Sequence, residues 1–227
     1  MLDVHLPHKP LHGFWEFLLH LFTISVGLLI ATQIESCVEW RHHVHLAEEA
    51  RASLRVEIEH NLKNLNEAEA GLKERREEVE TDLRAMQRIQ KQPNDPAAQH
   101  SSLKVNWGGV RLSDTAWRTS QSTGALAYLP YAEAERYASI YSCQSLLLAA
   151  EDKPVEDVAA VLGLISKYHW GESGKVTAEQ ASALAERFGQ MRVHQANGAV
   201  LLKECIERSQ AFLQNREPQG DFTEQLR

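Results

Sequence analysis

Along most of this chain apolar residues recur every three or four positions, but residues 17–34 break that rhythm: they are apolar almost throughout and contain no Asp, Glu, Lys or Arg. As a helix this stretch is about 27 Å long, close to the roughly 30 Å hydrocarbon thickness of a bilayer. Trp15 and Trp40 stand just outside its ends, where indole rings favour the headgroup layer. The pattern predicts a transmembrane helix over 17–34, preceded by an N-terminal tail over 1–16. Thr32, Gln33, Ile34 and Glu35 follow the run in place of a small-residue cleavage site, so a retained anchor is expected.

No helix breaker follows until the Gln92-Pro93-Asn94-Asp95-Pro96 turn signal, so a long stalk helix is expected over 35–92. Ile58, Leu65, Leu72, Val79 and Met86 fall at seven-residue spacing. A weaker column of Leu54, Leu62, Ala68 and Leu83 is interrupted by Arg76. This is coiled-coil-like patterning. Glu59 to Lys63, Glu69 to Lys73 and Glu80 to Arg84 are spaced for ion pairs along the helix.

A loop is expected over 93–112, then helical segments over 113–215. Ser113 or Asp114 can cap a short helix that Gly124 ends, and Pro130 opens the next one. The core face of that next helix is expected at Ala134, Tyr137, Ala138, Tyr141 and Leu148, and a further helix runs from Asp152 toward Trp170. The last helix starts with a Thr177-x-x-Gln180 capping box. Its seam holds Ala181, Leu184, Phe188, Met191, Gln195, Gly198, Leu202, Cys205, Ser209 and Phe212, and a polar tail covers 216–227. The expected fold is all-α: an N-terminal transmembrane helix continuous with a coiled-coil-like stalk, folded back as an elongated antiparallel helical bundle. Aligning the two seams pairs Met86 with Leu184, Val79 with Met191, Leu72 with Gly198, Leu65 with Cys205 and Ile58 with Phe212. A parallel dimer through the stalk seam is the rival arrangement.

Composition narrows the function. A formal net charge of −7 argues against a nucleic-acid surface, which needs a cationic face. The three cysteines, Cys37, Cys143 and Cys205, are too few for a disulfide framework or a zinc motif, and Cys37 could at most bridge a dimer. Thr23, Gly27 and Ala31 stack small residues on one face of the span, a helix-pairing face through which a homodimer could form. Lys9 on one side of the span and Arg41 and Arg51 on the other nearly balance, and the short N-terminal tail favours a soluble domain outside the cytoplasm.

Two segments resemble an uncharacterised bacterial family of single-pass membrane proteins with an N-terminal anchor helix and a coiled-coil stalk. One is the stretch from Gly27 through Gln33 and Ile34, passing directly into a charged helix. The other is Asp114-Thr-Ala-Trp117, with Gly124 following. At the exit, Cys37, Val38 and the Arg41-His42-His43 run replace an Asn- and Trp-rich sequence. The likeness spans about a fifth of the chain. It implies a membrane-bound helical protein and brings no activity or catalytic residue with it.

The histidines are the best candidates for chemistry. His12, Glu16 and His20 are spaced to share one helix face, and Glu39, His42, His43, His45 and Glu49 cluster past the span. Imidazole and carboxylate at this spacing is how helices present ligands to zinc or iron. Glu39-x-x-His42 and Glu57-x-x-His60 match a di-iron half-motif but lie about 27 Å apart along one helix. The plainer expectation is that these side chains populate a membrane interface and bind no metal. The 171–176 segment lacks the first glycine and the Ser or Thr of a phosphate loop. Trp117, Tyr128, Tyr131, Tyr137 and Tyr141 concentrate aromatic surface, as a core cap or a ligand pocket. The expected role is a scaffold, tether or accessory subunit in the plasma (inner) membrane, with no catalysis and no cofactor. It would contact the lipid bilayer and a protein partner or its own copy. The alternative is a membrane-anchored domain that senses a ligand or metal.

Overall fold

The computed structural model describes residues 13–99, 102–106, 108–170 and 175–219. It is all-α: α1 (Phe14–Lys91), α2 (Pro96–Gln99), α3 (Thr115–Ser122), a 3-10 turn (Ala125–Tyr128), α4 (Tyr131–Ala150), α5 (Asp152–Lys167) and α6 (Ala178–Leu213). The chain divides into two compact units, Met1–Glu49 and Ala50–Arg227.

In the first unit, α1 already begins at Phe14, inside the stretch expected as a tail. α1 contains an 18-residue window of mean hydropathy 1.9, apolar enough to cross a membrane, and none of that window is buried by protein. Leu19, Phe22, Ile24 and Leu28 are each more than 60% exposed. The expected tail residues 1–12 lie outside the described residues.

The second unit owes its core to the seams read from the sequence. Ile58, Leu65, Val79 and Met86 are buried, as are Ala181, Leu184, Phe188, Met191, Leu202 and Cys205. Val79, Leu83, Met86 and Ile89 of α1 pack with Ala181, Leu184, Phe188 and Met191 of α6 and with Val161 of α5. Leu65 packs instead with Leu202, Cys205 and Ile206 of α6 and with Cys143 and Leu147 of α4. Rising numbers on α1 thus meet falling numbers on α6, so the two are antiparallel within one chain. Gln90 Nε2 reaching Ala181 O at 3.5 Å and Arg192 Nη1 facing Glu80 Oε2 at 3.5 Å keep the same register. Met86 shares a cluster with Leu184, and Val79 with Met191, in the expected pairing. The burial of these seams is the main stabilising term, at about 1.5–3 kcal/mol for each large apolar side chain.

Termini follow local chemistry. α6 opens with the complete capping box: Gln180 N donates to Thr177 Oγ1 at 3.2 Å and Thr177 N to Gln180 Oε1 at 3.0 Å. Gly124 takes a left-handed φ of 73° after α3, where any other residue would be strained. Four expectations need correction. Leu147 faces the core of α4 and Leu148 is 41% exposed, because Ile140, Cys143 and Leu147 continue the buried stripe. The 93–112 loop contains α2, whose Ala98 is buried. Of the three expected ion pairs on α1 only Glu80–Arg84 forms, while Glu59 turns to Arg55 and Lys63 to Glu67. Cys143 and Cys205 form a disulfide between α4 and α6, with Cα atoms 5.6 Å apart, and Cys37 is free and exposed.

After α2 the chain runs back along α1, held there by side chains on one stripe of that helix. Asp82 Oδ2 accepts from Lys104 N at 3.0 Å, and Glu78 Oε2 from Asn106 Nδ2 at 2.9 Å. Asn64 Nδ2 donates to Arg111 O at 2.8 Å, and Asn61 brackets Ser113, donating to its O at 2.7 Å and accepting from its N at 2.9 Å. Between these points the Arg75 guanidinium crosses so close to the backbone that a Cβ on Gly108 would lie 2.7 Å from its Nη1. This strap is invisible in the hydrophobic pattern because polar groups, not apolar ones, position it.

Candidate functional site

The most organised polar cluster is centred on Glu57, one residue before the seam position Ile58. Its Oε2 accepts from Ser113 Oγ at 2.6 Å and Ala116 N at 2.9 Å; its Oε1 accepts from Tyr141 Oη at 2.7 Å and Trp117 N at 3.3 Å. Ala116 and Trp117 lie in the first turn of α3, so Glu57 caps that helix from across the bundle; of the two expected local residues, Ser113 Oγ accepts from Thr115 N at 3.4 Å, while Asp114 makes no cap bond. A carboxylate suits this place, because helix N-termini carry partial positive charge. Burial pushes the Glu57 carboxyl up, but the bonds from Ser113, Ala116, Tyr141 and Trp117 outweigh it and hold the group below its ordinary range. Tyr141 is driven the other way, by burial and then by the Glu57 carboxylate. With its acceptor positions occupied and its partner phenol locked, this pair is a structural tie and a poor acid–base couple.

Above the tie, Trp117 stacks on Tyr141 with ring centroids 5.0 Å apart and planes at 11°. The two rings border an open cleft of about 620 Å³ whose other walls include Leu112, Arg118, Gln121, Gln144 and Leu148. Gln144 Oε1 accepts from Asn61 Nδ2 at 3.0 Å, and its Nε2 is buried without a partner. The second family-like patch, Asp114 to Trp117, therefore lies at this cleft, and of the aromatic residues expected to gather, Trp117 and Tyr141 meet here while Tyr137 packs on Phe212 at 4.9 Å.

Where the α1 and α6 seams pass Leu72 and Gly198 the packing opens into a cavity of about 40 Å³, bordered by Arg75, Glu151, His194, Gln195 and Gly198. That volume holds about three waters and no metabolite. Asp157 Oδ2 lies 2.6 Å from His194 Nδ1, an acid–imidazole pair that the order of residues along the chain does not reveal. Among the described residues bordering the cavity there is no Ser, Thr or Cys. Ser120 Oγ and Ser122 Oγ both donate to carbonyls of their own helix, at 2.8 and 3.0 Å.

Most of the remaining candidates lie in the first unit. His45 Nε2 pairs with Glu49 Oε1 at 3.1 Å, and the rings of His42 and His43 are 6.1 Å apart. Among the described residues no three His, Cys, Asp or Glu side chains converge as metal ligands, so Glu39, His42, His43 and His45 are not brought together. His12 and the glycines at 171 and 174 lie outside the described residues. Glu57 of the second half-motif is consumed by the tie, and His60 faces Asn64 Nδ2 at 3.3 Å. Thr23, Gly27 and Ala31 form an exposed face, and a Cβ on Gly27 would meet no heavy atom within 4 Å.

The sequence named Glu57 only as half of a metal motif; its helix-capping tie, the disulfide and the Asp157–His194 pair were not expected from it. A buried position beside the seam, for Glu57, and seam membership, for Cys205, were the available signals. Set against known protein families, curated proteins and solved structures, the chain matches none.

Proposed function

We propose that this protein is a single-pass, membrane-anchored helical scaffold or tether of the plasma (inner) membrane, working through protein–protein contacts without catalysis of its own. The observation that carries the reading is the bare apolar window of α1: none of it is covered by protein, and water would penalise each exposed large side chain by about 1.5–3 kcal/mol. The internal use of the largest polar cluster supports a mechanical role, since the Glu57 carboxylate, Tyr141 and Asn61 tie helices together. The Cys143–Cys205 bridge favours placing the second unit on the non-cytoplasmic side, where disulfides persist.

A second reading is a ligand-sensing domain, favoured by the cleft of about 620 Å³ beside stacked Trp117 and Tyr141, a volume within the range of small-molecule sites. Purification of the full chain from native membranes separates the two. A stoichiometric protein partner that resists carbonate washing is the expected outcome. A stoichiometric small molecule with no protein partner would replace the scaffold with the sensor. Bound transition metal lost on changing His42, His43 and His45 to Ala would do the same.

A further inference from the structure

We propose that the groove between α1 and α6 on the side away from α4 and α5 docks an acidic amphipathic helix of a partner protein. This rests on the scaffold reading and names its contact surface. Two stripes of α1 in the second unit are covered by other elements. The stripe through Leu65, Val79 and Met86 packs on α6, and the stripe through Asn61, Asn64, Glu78 and Asp82 holds the strap. The third stripe, through Asn66, Glu69, Ala70, Lys73, Arg76, Glu77, Glu80 and Arg84, borders an open groove of about 940 Å³ whose other wall is α6 alone.

The groove has the layout of a helix seat. Half-buried Leu72 and Ala199 provide apolar surface between its walls, above the buried Leu202, and charged residues line the edges. It runs about 27 Å along α1 from Asn66 to Arg84 and about 17 Å along α6 from Arg192 to Lys203, so about three helical turns have both walls. Around Leu65 α1 and α6 are joined by α4, and from Val79 to Ile89 by α5, a three-helix section to which one more helix adds a four-helix bundle. A helix laid in such a groove through its apolar face is a common recognition mode.

Charge selects the occupant. In a chain of net charge −7, this groove gathers Lys73, Arg76, Arg84, Arg192 and Lys203 against Glu69, Glu77 and Glu80. Glu80 is engaged by both Arg84 and Arg192, at 3.7 and 3.5 Å. Lys73, Arg76 and Lys203 have no ion-pair partner among the described residues. Arg76, which looks like a flaw in the second apolar column, is a groove residue. Cationic rims around an apolar floor complement a helix with Glu or Asp flanking a Leu-rich stripe and repel a basic one.

The test uses the full chain in detergent micelles and two labelled helical peptides, one with Leu and Ala on one face and Glu on the other, one with Lys for each Glu. The Glu peptide is expected to bind, to weaken at least tenfold on raising salt from about 0.05 to 0.5 M, and to lose tenfold or more on Lys73→Glu/Arg76→Glu/Lys203→Glu. Those three side chains are exposed, so the triple variant should keep the wild-type circular dichroism spectrum and melting temperature. It should also acquire binding of the Lys peptide. No binding of the Glu peptide, or equal binding by the variant, overturns the proposal. A photo-crosslinker at position 81 in native membranes supplies the second measurement. An adduct with a separate protein through an acidic helix, lost in the triple variant, supports the seat; an adduct within the chain or to a second copy overturns it. A stoichiometric partner whose recovery ignores the triple variant also overturns the groove while leaving the scaffold standing. If wild type recovers no partner, the scaffold fails and the peptide titration still decides the groove.

Discussion

Glu57 and Asp82 are both buried carboxylates on α1, yet their surroundings shift them in opposite directions from their ordinary values. Glu57 collects four donors and is held below the ordinary value of 4.5, after burial alone would have raised it. A folded-state value below the unfolded one gives stability that is present above pH 4.5 and is lost as pH falls through the folded value. Glu57→Gln would aim an amide NH₂ at groups that are themselves donors. Chemical denaturation of the full chain in detergent at pH 7 should show a loss of about 2–4 kcal/mol, the cost of broken charged hydrogen bonds plus a lost helix cap. Asp82 is pushed up to about 6 by burial, against the bond from Lys104 N, with Glu78 adding to the rise. Here the folded form binds the proton more tightly than the unfolded one. Ionised Asp82 therefore weakens the fold above about pH 6, and the penalty disappears as pH falls from 6 towards 3.8. Asp82→Asn keeps an oxygen for Lys104 N and should be about 1–3 kcal/mol more stable than wild type at pH 8. Melts across pH should show that gap closing by about pH 4; a gap independent of pH would mean that packing, not charge, is the cause.

At the scale of elements, α6 offers a direct test of how the seam is filled. Gly198 stands mid-helix opposite the Leu72 region, and a Cβ there would meet no heavy atom within 4 Å. Gly198→Ala should raise stability by about 0.5–1 kcal/mol through helix propensity alone. A drop in melting temperature would show that the neighbouring cavity is closed in solution. The antiparallel pairing is checked separately: Val79→Cys with Met191→Cys, in a Cys37→Ser background, should crosslink within one chain under mild oxidation. Dimers through position 79 with no intrachain product would favour a parallel pairing of two copies. This pairing was legible in the sequence because Ile58, Leu65, Val79 and Met86 and their counterparts on α6 repeat at helical spacing, and burial follows that repeat. The strap was not. Its register depends on Asn61, Asn64, Glu78 and Asp82 meeting backbone groups far along the chain, and single polar bonds leave no periodic trace. The Glu57 cap was hidden for the same reason: cap signals are read from neighbours in sequence, and this one comes from 59 residues away.

For the whole molecule the informative pair is Cys143 and Cys205. Both sit on core-facing positions of their helices, 4% and 1% exposed, and the bridge spans 62 residues. A crosslink of that loop length restricts the unfolded chain by about 4 kcal/mol in the chain-entropy picture. Such a bond persists in an oxidising compartment and is rare where glutathione and thioredoxin act, so its redox state reports which side of the membrane the second unit occupies. Cys37, free and exposed, belongs to the other unit and does not confuse the count. Denatured without reductant, full-length protein from native membranes should present one reactive thiol per chain, and three after reduction. Cys37→Ser should bring the first number to zero. In that background Ala97→Cys, at an exposed position of α2, should react with a membrane-impermeant maleimide added to intact cells. Labelling at position 97 together with an oxidised Cys143–Cys205 pair fixes the second unit outside the cytoplasm. Protection of position 97 until lysis, with both native thiols free, reverses the orientation, because the same chain would then have folded its unit where the bridge cannot be kept.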